Sequence, residues 1–201
     1  MNNKELLEKY PWLKFNSNIP EKYSDFELYT CWADMIPSGW AESFGEFFLA
    51  DLDSALRESY PEGIPEDFHI LDIKEKWGQL TVYLSEEPVA VADVLYLYEY
   101  ISSFVCIVCG APYPFAHMTY DGWVMPLCEK CYIGKSSDEF AKYHEYYLQT
   151  VLKDSITLFE GPQEYINITT YTPNGERSER RIRVKGTWDK IVQSYVQKTI
   201  I

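Results

Sequence analysis

Four cysteines in two closely spaced pairs have the clearest chemistry in this sequence. Cys106-x-x-Cys109 and Cys128-x-x-Cys131 are separated by eighteen residues, within the roughly 15–20 residues that are typical of a four-cysteine zinc site. Each Cys-x-x-Cys turn can direct two thiolates at one ion, and Gly110 directly after the first pair permits a backbone with positive φ. The spacing therefore predicts a structural zinc ion held by Cys106, Cys109, Cys128 and Cys131.

A complete set of four sulfur ligands indicates a structural rather than a catalytic role for the ion. Structural zinc sites are closed, whereas a catalytic zinc ion keeps one position open for water or substrate, so the spacing argues against zinc catalysis. A disulfide or redox pair and inert thiols are the alternatives that the spacing leaves open. The segment between the pairs contains Pro112, Pro114 and Pro126 and can bury little apolar surface by itself. Zinc is therefore expected to supply much of the free energy that folds this segment.

Two further residues could take part in the same chemistry. Cys31 stands apart from the pairs, next to Trp32, and is interpreted as a small buried side chain rather than a reactive thiol. His117 lies between the pairs and could replace one sulfur ligand, although four sulfurs already complete the site. The sequence leaves the roles of Cys31 and His117 open.

No residue pattern identifies a catalytic nucleophile, so the protein is interpreted as non-enzymatic. The glycine motifs of phosphate-binding loops and nucleophile elbows are absent from the sequence. Asp67, Asp72 and Lys74 faintly match the pattern of metal-dependent nucleases, which is the least favoured function. Asp67 and Asp72 are five residues apart on one expected strand, which points them to opposite faces. Asp72, Lys74 and Lys76 are interpreted as a solvated face.

A basic cluster near the end of the sequence is the candidate surface for a nucleic acid or a protein partner. Its members are Arg177, Arg180, Arg181, Arg183 and Lys185. Residues 161–201 carry seven Lys/Arg against four Asp/Glu, a net charge of +3, whereas residues 1–160 carry eleven against twenty-seven, a net charge of −16. An acidic body repels phosphate, so nucleic-acid contact would have to use this cluster. Neutralisation of the acidic body, or contact with a partner, is the favoured interpretation.

Apolar periodicity predicts the elements that position these residues. An amphipathic helix over residues 41–60 is indicated by apolar side chains at every fourth position, namely Phe44, Phe48, Leu52 and Leu56. Alternation in residues 71–74 and 80–84 around Lys76-Trp77-Gly78 predicts a β-hairpin. Residues 85–88 are expected to cap the helix that follows and leads to Cys106.

The segment after the cysteines continues with helix and hairpin signals. Ser136-x-x-Glu139 resembles a capping box at the start of a helix that reaches residue 151. Residues 165–171 and 180–185 flank Pro173-Asn174-Gly175, which predicts a second hairpin. A closing helix is expected over residues 188–200.

These elements predict an α+β protein, in which a helix and β-hairpin body carries an inserted four-cysteine zinc ribbon and a C-terminal helix–hairpin–helix unit. The expected division is 1–103 for the N-terminal α+β region, 104–135 for the zinc ribbon and 136–201 for the C-terminal unit. No apolar stretch approaches the ~18 residues of a membrane helix, and no signal-peptide pattern opens the sequence. A cytoplasmic protein without membrane contact is therefore expected.

Three stretches together resemble a group of uncharacterised phage and prophage proteins. They are Ile-Lys-Glu-Lys-Trp-Gly-Gln-Leu at residues 73–80, Cys106-Ile-Val-Cys-Gly110 and Leu127-Cys-Glu-Lys-Cys131. The group carries an Ile-Lys-Glu-Lys-Phe-Gly-x-Leu-Arg hairpin before the two cysteine pairs, whereas this sequence has Trp77 and Thr81 in place of the phenylalanine and arginine. The resemblance covers about residues 70–131, and it implies the metal site and a bacterial or mobile-element setting without an activity.

The function predicted from the sequence is that of a non-enzymatic zinc-ribbon protein acting through protein–protein interaction. Structural zinc is the expected cofactor, and the expected partner is a protein that the sequence does not identify. Nucleic-acid binding through the basic C-terminal hairpin is the alternative, and a metal-dependent nuclease around Asp72 is the third hypothesis.

Overall fold

The computed structural model describes residues 3–14, 31–113, 116–120, 124–133, 161–171 and 174–199. Its helices are α1 (Asn3–Lys9), α2 (Ser38–Trp40), α3 (Glu46–Ser59), α4 (Val89–Ser102), α5 (Glu129–Ile133) and α6 (Lys185–Thr199). Its strands are β1 (Ile70–Lys76), β2 (Gln79–Leu84), β3 (Ala116–Tyr120), β4 (Val124–Cys128), β5 (Tyr165–Tyr171) and β6 (Arg177–Arg183). They pair as the antiparallel hairpins β1–β2, β3–β4 and β5–β6. The predicted α+β class is confirmed, and no helix within these ranges is long and apolar enough to cross a membrane.

The main core lies where α3 and α4 pack together and against the β1–β2 hairpin. The predicted apolar stripe is buried at all four positions, Phe44, Phe48, Leu52 and Leu56. Tyr98 of α4 packs its ring against two of these side chains, with centroid separations of 5.6 and 5.2 Å, and its hydroxyl donates a hydrogen bond of 2.7 Å to Asp51. The helix expected over residues 41–60 begins as a π-helical turn, Ala41–Gly45, that leads directly into α3.

The β1–β2 hairpin follows the predicted alternation. Ile73 pairs with Val82 on the face that packs against the core. Trp77 and Gly78 form the turn with φ values of +56° and +77°, because a two-residue hairpin turn of type I′ requires positive φ at both positions.

The start of α4 differs in one detail from the prediction. The N-cap residue lies within residues 85–88, as expected, but it is Pro88, and no side chain caps the helix. The Ser85 hydroxyl instead accepts a hydrogen bond of 3.0 Å from the backbone N–H of His69. This bond ties the end of β2 to the chain just before β1.

The second predicted hairpin is present, with a different second strand. β6 spans Arg177–Arg183 instead of residues 180–185. Ser178 and Glu179 extend the ladder through backbone pairing with β5, and polar side chains of these types give no strand signal in the sequence.

The closing helix begins three residues earlier than predicted, at Lys185. Its buried Ile191 joins the main core, and the Trp188 ring meets Phe104 edge-on with centroids 6.3 Å apart. The helix predicted from Ser136 to residue 151 lies outside the described residues. Of the C-terminal helix–hairpin–helix unit, the structure therefore describes the hairpin and the last helix.

Candidate metal centre

The four paired cysteines meet in one cluster. The Sγ atoms of Cys106, Cys109, Cys128 and Cys131 all lie within 4.8 Å of one another, and those of Cys109 and Cys128 are 3.5 Å apart. A tetrahedral zinc ion with Zn–S bonds of about 2.3 Å separates its sulfurs by about 3.8 Å, so the cluster lies close to that arrangement. All four are free thiols. Within the described ranges, no other group of three or more His, Cys, Asp and Glu side chains could hold a metal ion.

The first cysteine pair is held by a tight backbone turn. The N–H of Gly110 donates to the carbonyl of Cys106 at 2.9 Å, and the N–H of Cys106 donates to the carbonyl of Ala111 at 2.8 Å. Gly110 has φ of +73°, as its position in the sequence predicts, because only glycine adopts this conformation without strain. The turn directs Cys106 and Cys109 toward the same point.

The second cysteine pair lies at a strand-to-helix junction. Cys128 ends β4, and Cys131 lies in the first turn of α5. The N–H of Ile107 donates to the carbonyl of Pro126 at 2.9 Å, which fixes the first turn against β4. The two cysteine pairs are thus positioned by backbone hydrogen bonds as well as by any bound ion.

The first cysteine turn also packs tightly against α2. The N–H of Gly39 donates to the carbonyl of Ile107 at 3.0 Å, and the indole Nε1 of Trp40 donates to the carbonyl of Val105 at 2.9 Å. A Cβ atom on Gly39 would lie 2.6 Å from the carbonyl carbon of Ile107. The cysteine cluster therefore packs directly against the helical body. The contact is made at Gly39, whose residue type does not indicate a site in the sequence.

Burial and crowding control the protonation of the cluster. Burial raises the pKa of the Cys109 thiol to about 11. Burial, together with the neighbouring Cys109 and Cys128 thiols, raises the pKa of Cys131. Burial also acts to raise the pKa of Cys106, but the backbone N–H groups of Cys128, Cys109 and Val108 oppose it and hold that pKa below its ordinary value. Without a cation the cluster therefore retains protons at neutral pH, and a divalent ion would displace them.

A small apolar shell surrounds the sulfurs. Its buried members are Ala111, Ala116, Leu127 and Tyr132. Tyr195 of α6 packs against the same cluster, and its pKa is raised first by burial and then by the cysteine charges. Tyr195 was not among the predicted site residues, because its sequence neighbourhood signals only a helix.

The two additional candidates lie outside this ligand set. Cys31 is fully buried, and burial raises the pKa of its thiol, which agrees with its interpretation as a small core residue. His117 pairs with Leu127 in the β3–β4 ladder, and its side chain lies outside the described part of the chain.

The carboxylates of the nuclease hypothesis do not assemble into a site. Lys74 forms an ion pair with Asp72, and its Nζ lies 5.2 Å from the centroid of the Tyr83 ring. Asp72, Lys74 and Lys76 share the outer face of the β1–β2 hairpin, as the solvated-face interpretation expects. Asp67 lies before β1 and does not join any metal-ligating group among the described residues.

The structure separates the five basic residues of the candidate contact surface. Arg180 is directed toward α4, where its Nε donates a hydrogen bond of 2.7 Å to Asp93. Arg181 is on the opposite face of β6, with its guanidinium 3.9 Å from the centroid of the Tyr165 ring. The remaining three form ion pairs, Arg177 with Glu179, Arg183 with Glu164 and Lys185 with Asp189. These contacts agree with the interpretation that the basic residues neutralise acidic residues of the same chain. Binding of a nucleic acid by this cluster stays a prediction.

Comparison with models of known protein families, with curated protein sequences and with solved structures found no match to this chain. The candidate function therefore depends on the chemistry of the site itself.

Proposed function

We propose that this protein is a structural-zinc protein that works by binding another protein. The observation that carries the proposal is the cluster of four Sγ atoms within 4.8 Å of one another. Four thiolates are soft ligands that favour zinc, Cu(I) or iron–sulfur centres over magnesium or calcium. Zinc fits best because a single tetrahedral ion uses all four sulfurs.

A closed four-sulfur site supports a structural rather than a catalytic role. With four protein ligands, zinc has no free position at which to activate water or polarise a substrate. The docking of the first cysteine turn on Gly39 and Trp40 gives the ion a role in holding the helical body in shape. The zinc ribbon proposed for residues 104–135 is thus a folding element of the chain.

Exposed aromatic residues support binding to a protein. Trp77 is 71% exposed at the tip of the β1–β2 hairpin, and Tyr171 is 68% exposed at the end of β5. Tryptophan and tyrosine are enriched among the residues that dominate protein interfaces. The resemblance of residues 70–131 to phage and prophage proteins adds the proposal that the partner belongs to a bacterial host or a mobile element.

Metal analysis of the natively purified chain tests the zinc proposal. We expect about one zinc per chain by mass spectrometry of the metals, and cysteines that resist alkylation until a chelator is added. Cys106→Ser should lose the metal. Cys31→Ser is the matched control, since Cys31 is buried away from the cluster, and it should retain one zinc. Iron in place of zinc, or equal metal loss in both variants, would overturn the proposal.

A further inference from the structure

A cleft that contains none of the four clustered cysteines lies between α4 and β5. It has a volume of about 480 Å³ and is lined on one side by Tyr96, Glu99 and Tyr100 of α4 and on the other by Ile166, Asn167 and Ile168 of β5. It contains three residues of β5 and none of β6. The cleft therefore follows the edge of β5 that is not paired with β6.

Among the described residues, the backbone of β5 has hydrogen-bonding groups without a strand partner along this edge. The N–H of Val184 donates to the carbonyl of Glu164, and the register continues from this pair through Asn167 opposite Arg181. In an antiparallel ladder, hydrogen-bonded and non-hydrogen-bonded pairs alternate. The N–H and C=O groups of Asn167 and Thr169 therefore point away from β6, and within the described ranges β5 pairs with no other strand. An open strand edge is a template for an added strand.

Glu99 gives the cleft a charge that the described residues do not neutralise by contact. Its side chain is half-buried, and no ion pair to its carboxylate is formed within the described part of the chain. Burial raises the pKa of Glu99, and the charge of Lys76 opposes this only in part. The ammonium of Lys76 is directed to the Tyr83 hydroxyl, at 3.4 Å.

Aromatic rings accompany this carboxylate. Tyr96 is 38% exposed and lies one helical turn before Glu99, on the same side of α4. Tyr100 follows Glu99, and its hydroxyl accepts a hydrogen bond of 3.0 Å from the backbone N–H of Gln163. A carboxylate beside tyrosine rings suits a lysine or arginine side chain, which gains both an ion pair and cation–π contact.

We propose that this cleft binds an extended, basic segment of a partner protein. The segment adds as a strand to the free edge of β5 through the backbone of Asn167 and Thr169, and it places a lysine or arginine against Glu99 and Tyr96. The acidic charge of the chain, −13 overall, favours approach of a basic partner. This inference rests on the proposed protein-binding function and specifies its site and the chemistry of its partner.

The test uses the full, zinc-loaded chain and a displayed library of random nine-residue linear peptides. Peptides selected on the wild-type chain should carry a lysine or arginine flanked by strand-forming residues, and their affinity is then measured by fluorescence anisotropy. Glu99→Gln should weaken binding by at least about tenfold, because the partner's charge loses its counter-charge. Glu62→Gln removes the same charge from an exposed turn and should leave the affinity unchanged.

A second variant tests the strand addition itself. Asn167→Pro removes the N–H that points into the cleft and leaves the bonds to β6 intact, since proline is tolerated at outward-facing positions of edge strands. It should weaken binding by at least about tenfold. Hydrogen exchange on the wild-type chain gives a readout that needs no variant: bound peptide should protect the amides of residues 167 and 169.

Several outcomes would overturn the proposal. They are the absence of selected peptides, selected peptides without a basic residue, equal affinity for the wild-type and Glu99→Gln chains, and unchanged exchange at residues 167 and 169. A chain that sediments as a dimer through this cleft and binds no peptide would also overturn it. Zinc content is measured on the same samples. If the chain carries one zinc ion but binds no peptide, only the cleft proposal is rejected. If the purified chain carries no zinc, the metal proposal is rejected.

Discussion

Gly39 lies where the backbone of α2 approaches the first cysteine turn too closely for a side chain. Its N–H donates to the carbonyl of Ile107 at 3.0 Å, and a Cβ atom at this position would lie 2.6 Å from the carbonyl carbon of the same residue. The neighbouring atoms are backbone atoms, which cannot rotate away. A side chain at residue 39 must therefore push the cysteine turn and α2 apart.

We predict that Gly39→Ala destabilises the chain and weakens its hold on the metal. Overpacking in a well-packed site costs about 1–3 kcal/mol, and the displaced turn carries Cys106 and Cys109. Urea unfolding measures the first effect, and competition with a zinc chelator measures the second.

Gly45→Ala is the matched control for this substitution. Gly45 is also buried in the same helical segment, but a Cβ atom there would lie 3.7 Å from its nearest neighbour, the Cβ of Ala41. We expect this variant to equal the wild type or to exceed it by about 0.5–1 kcal/mol, because alanine has the higher helix propensity. Equal stability of the two variants would contradict the role assigned to Gly39.

The contrast between Gly110 and Gly39 shows how much of the metal centre could be predicted from the sequence. The cysteine spacing indicated the cluster, and the place of Gly110 after the first pair indicated its positive φ, because both are local properties of the motif. Gly39 and Tyr195 lie far from the cysteines in the sequence, and only the tertiary packing brings them to the site. Their residue types could not signal this proximity.

At the scale of elements, the turn of the β1–β2 hairpin places a tryptophan in a left-handed backbone conformation that is unfavourable for this residue type. Trp77 adopts φ of +56° while its side chain is 71% exposed, so little burial offsets the backbone strain. A left-handed conformation costs a residue other than glycine, asparagine or aspartate about 1–2 kcal/mol. Strained backbone conformations cluster at functional sites, which agrees with the proposed role of Trp77 in binding a protein.

We predict that Trp77→Asn raises the free energy of unfolding by about 1 kcal/mol, because Asn-Gly is the preferred pair for this turn. The midpoint of urea unfolding measures the change. Tyr171→Asn is the control: Tyr171 is similarly exposed, but its φ is not positive, so its substitution should not stabilise the chain. A destabilised Trp77→Asn variant would mean that the ring packs against the protein.

The second hairpin shows where element prediction from the sequence ends. The first strand was predicted with its correct bounds, because it has a local signal. Gly175 has the positive φ that a hairpin turn favours, and residue 173 of the predicted turn lies outside the described residues. The predicted bounds of β6 were shifted because Ser178 and Glu179 join the ladder through backbone pairing, which their polar side chains do not indicate. The ion pair of Arg180 could not be predicted either, because its partner Asp93 belongs to α4 and only tertiary packing brings the two residues together.

At the scale of the whole molecule, one ion pair among the described residues joins the basic C-terminal segment to the acidic body. Arg180 of the basic C-terminal segment pairs with Asp93 of the acidic body across a half-buried contact. The ion pairs Arg177–Glu179 and Arg183–Glu164 are more exposed and contribute at most about 1 kcal/mol each. Neither of these two pairs reaches α4. The C-terminal segment contacts α4 through Arg180, through the hydrogen bond from the Gln163 N–H to the Tyr100 hydroxyl, and through the apolar face that contains Ile168.

The metal centre and the helical core should unfold together, because Gly39 and Trp40 connect the first cysteine turn to α2 and α3. Free zinc at a concentration of about 1,000 times the dissociation constant adds about 4 kcal/mol of stability, so a chelator should lower the Tm of the whole chain by about 10 °C. Far-ultraviolet circular dichroism and tryptophan fluorescence should report this shift in one common transition. Cys31→Ser should show the same chelator-dependent shift, whereas Cys106→Ser should already unfold at the lower temperature and not respond to chelator. A wild-type chain whose cysteines become reactive on chelation while its Tm stays constant would show that the metal centre folds independently of the core.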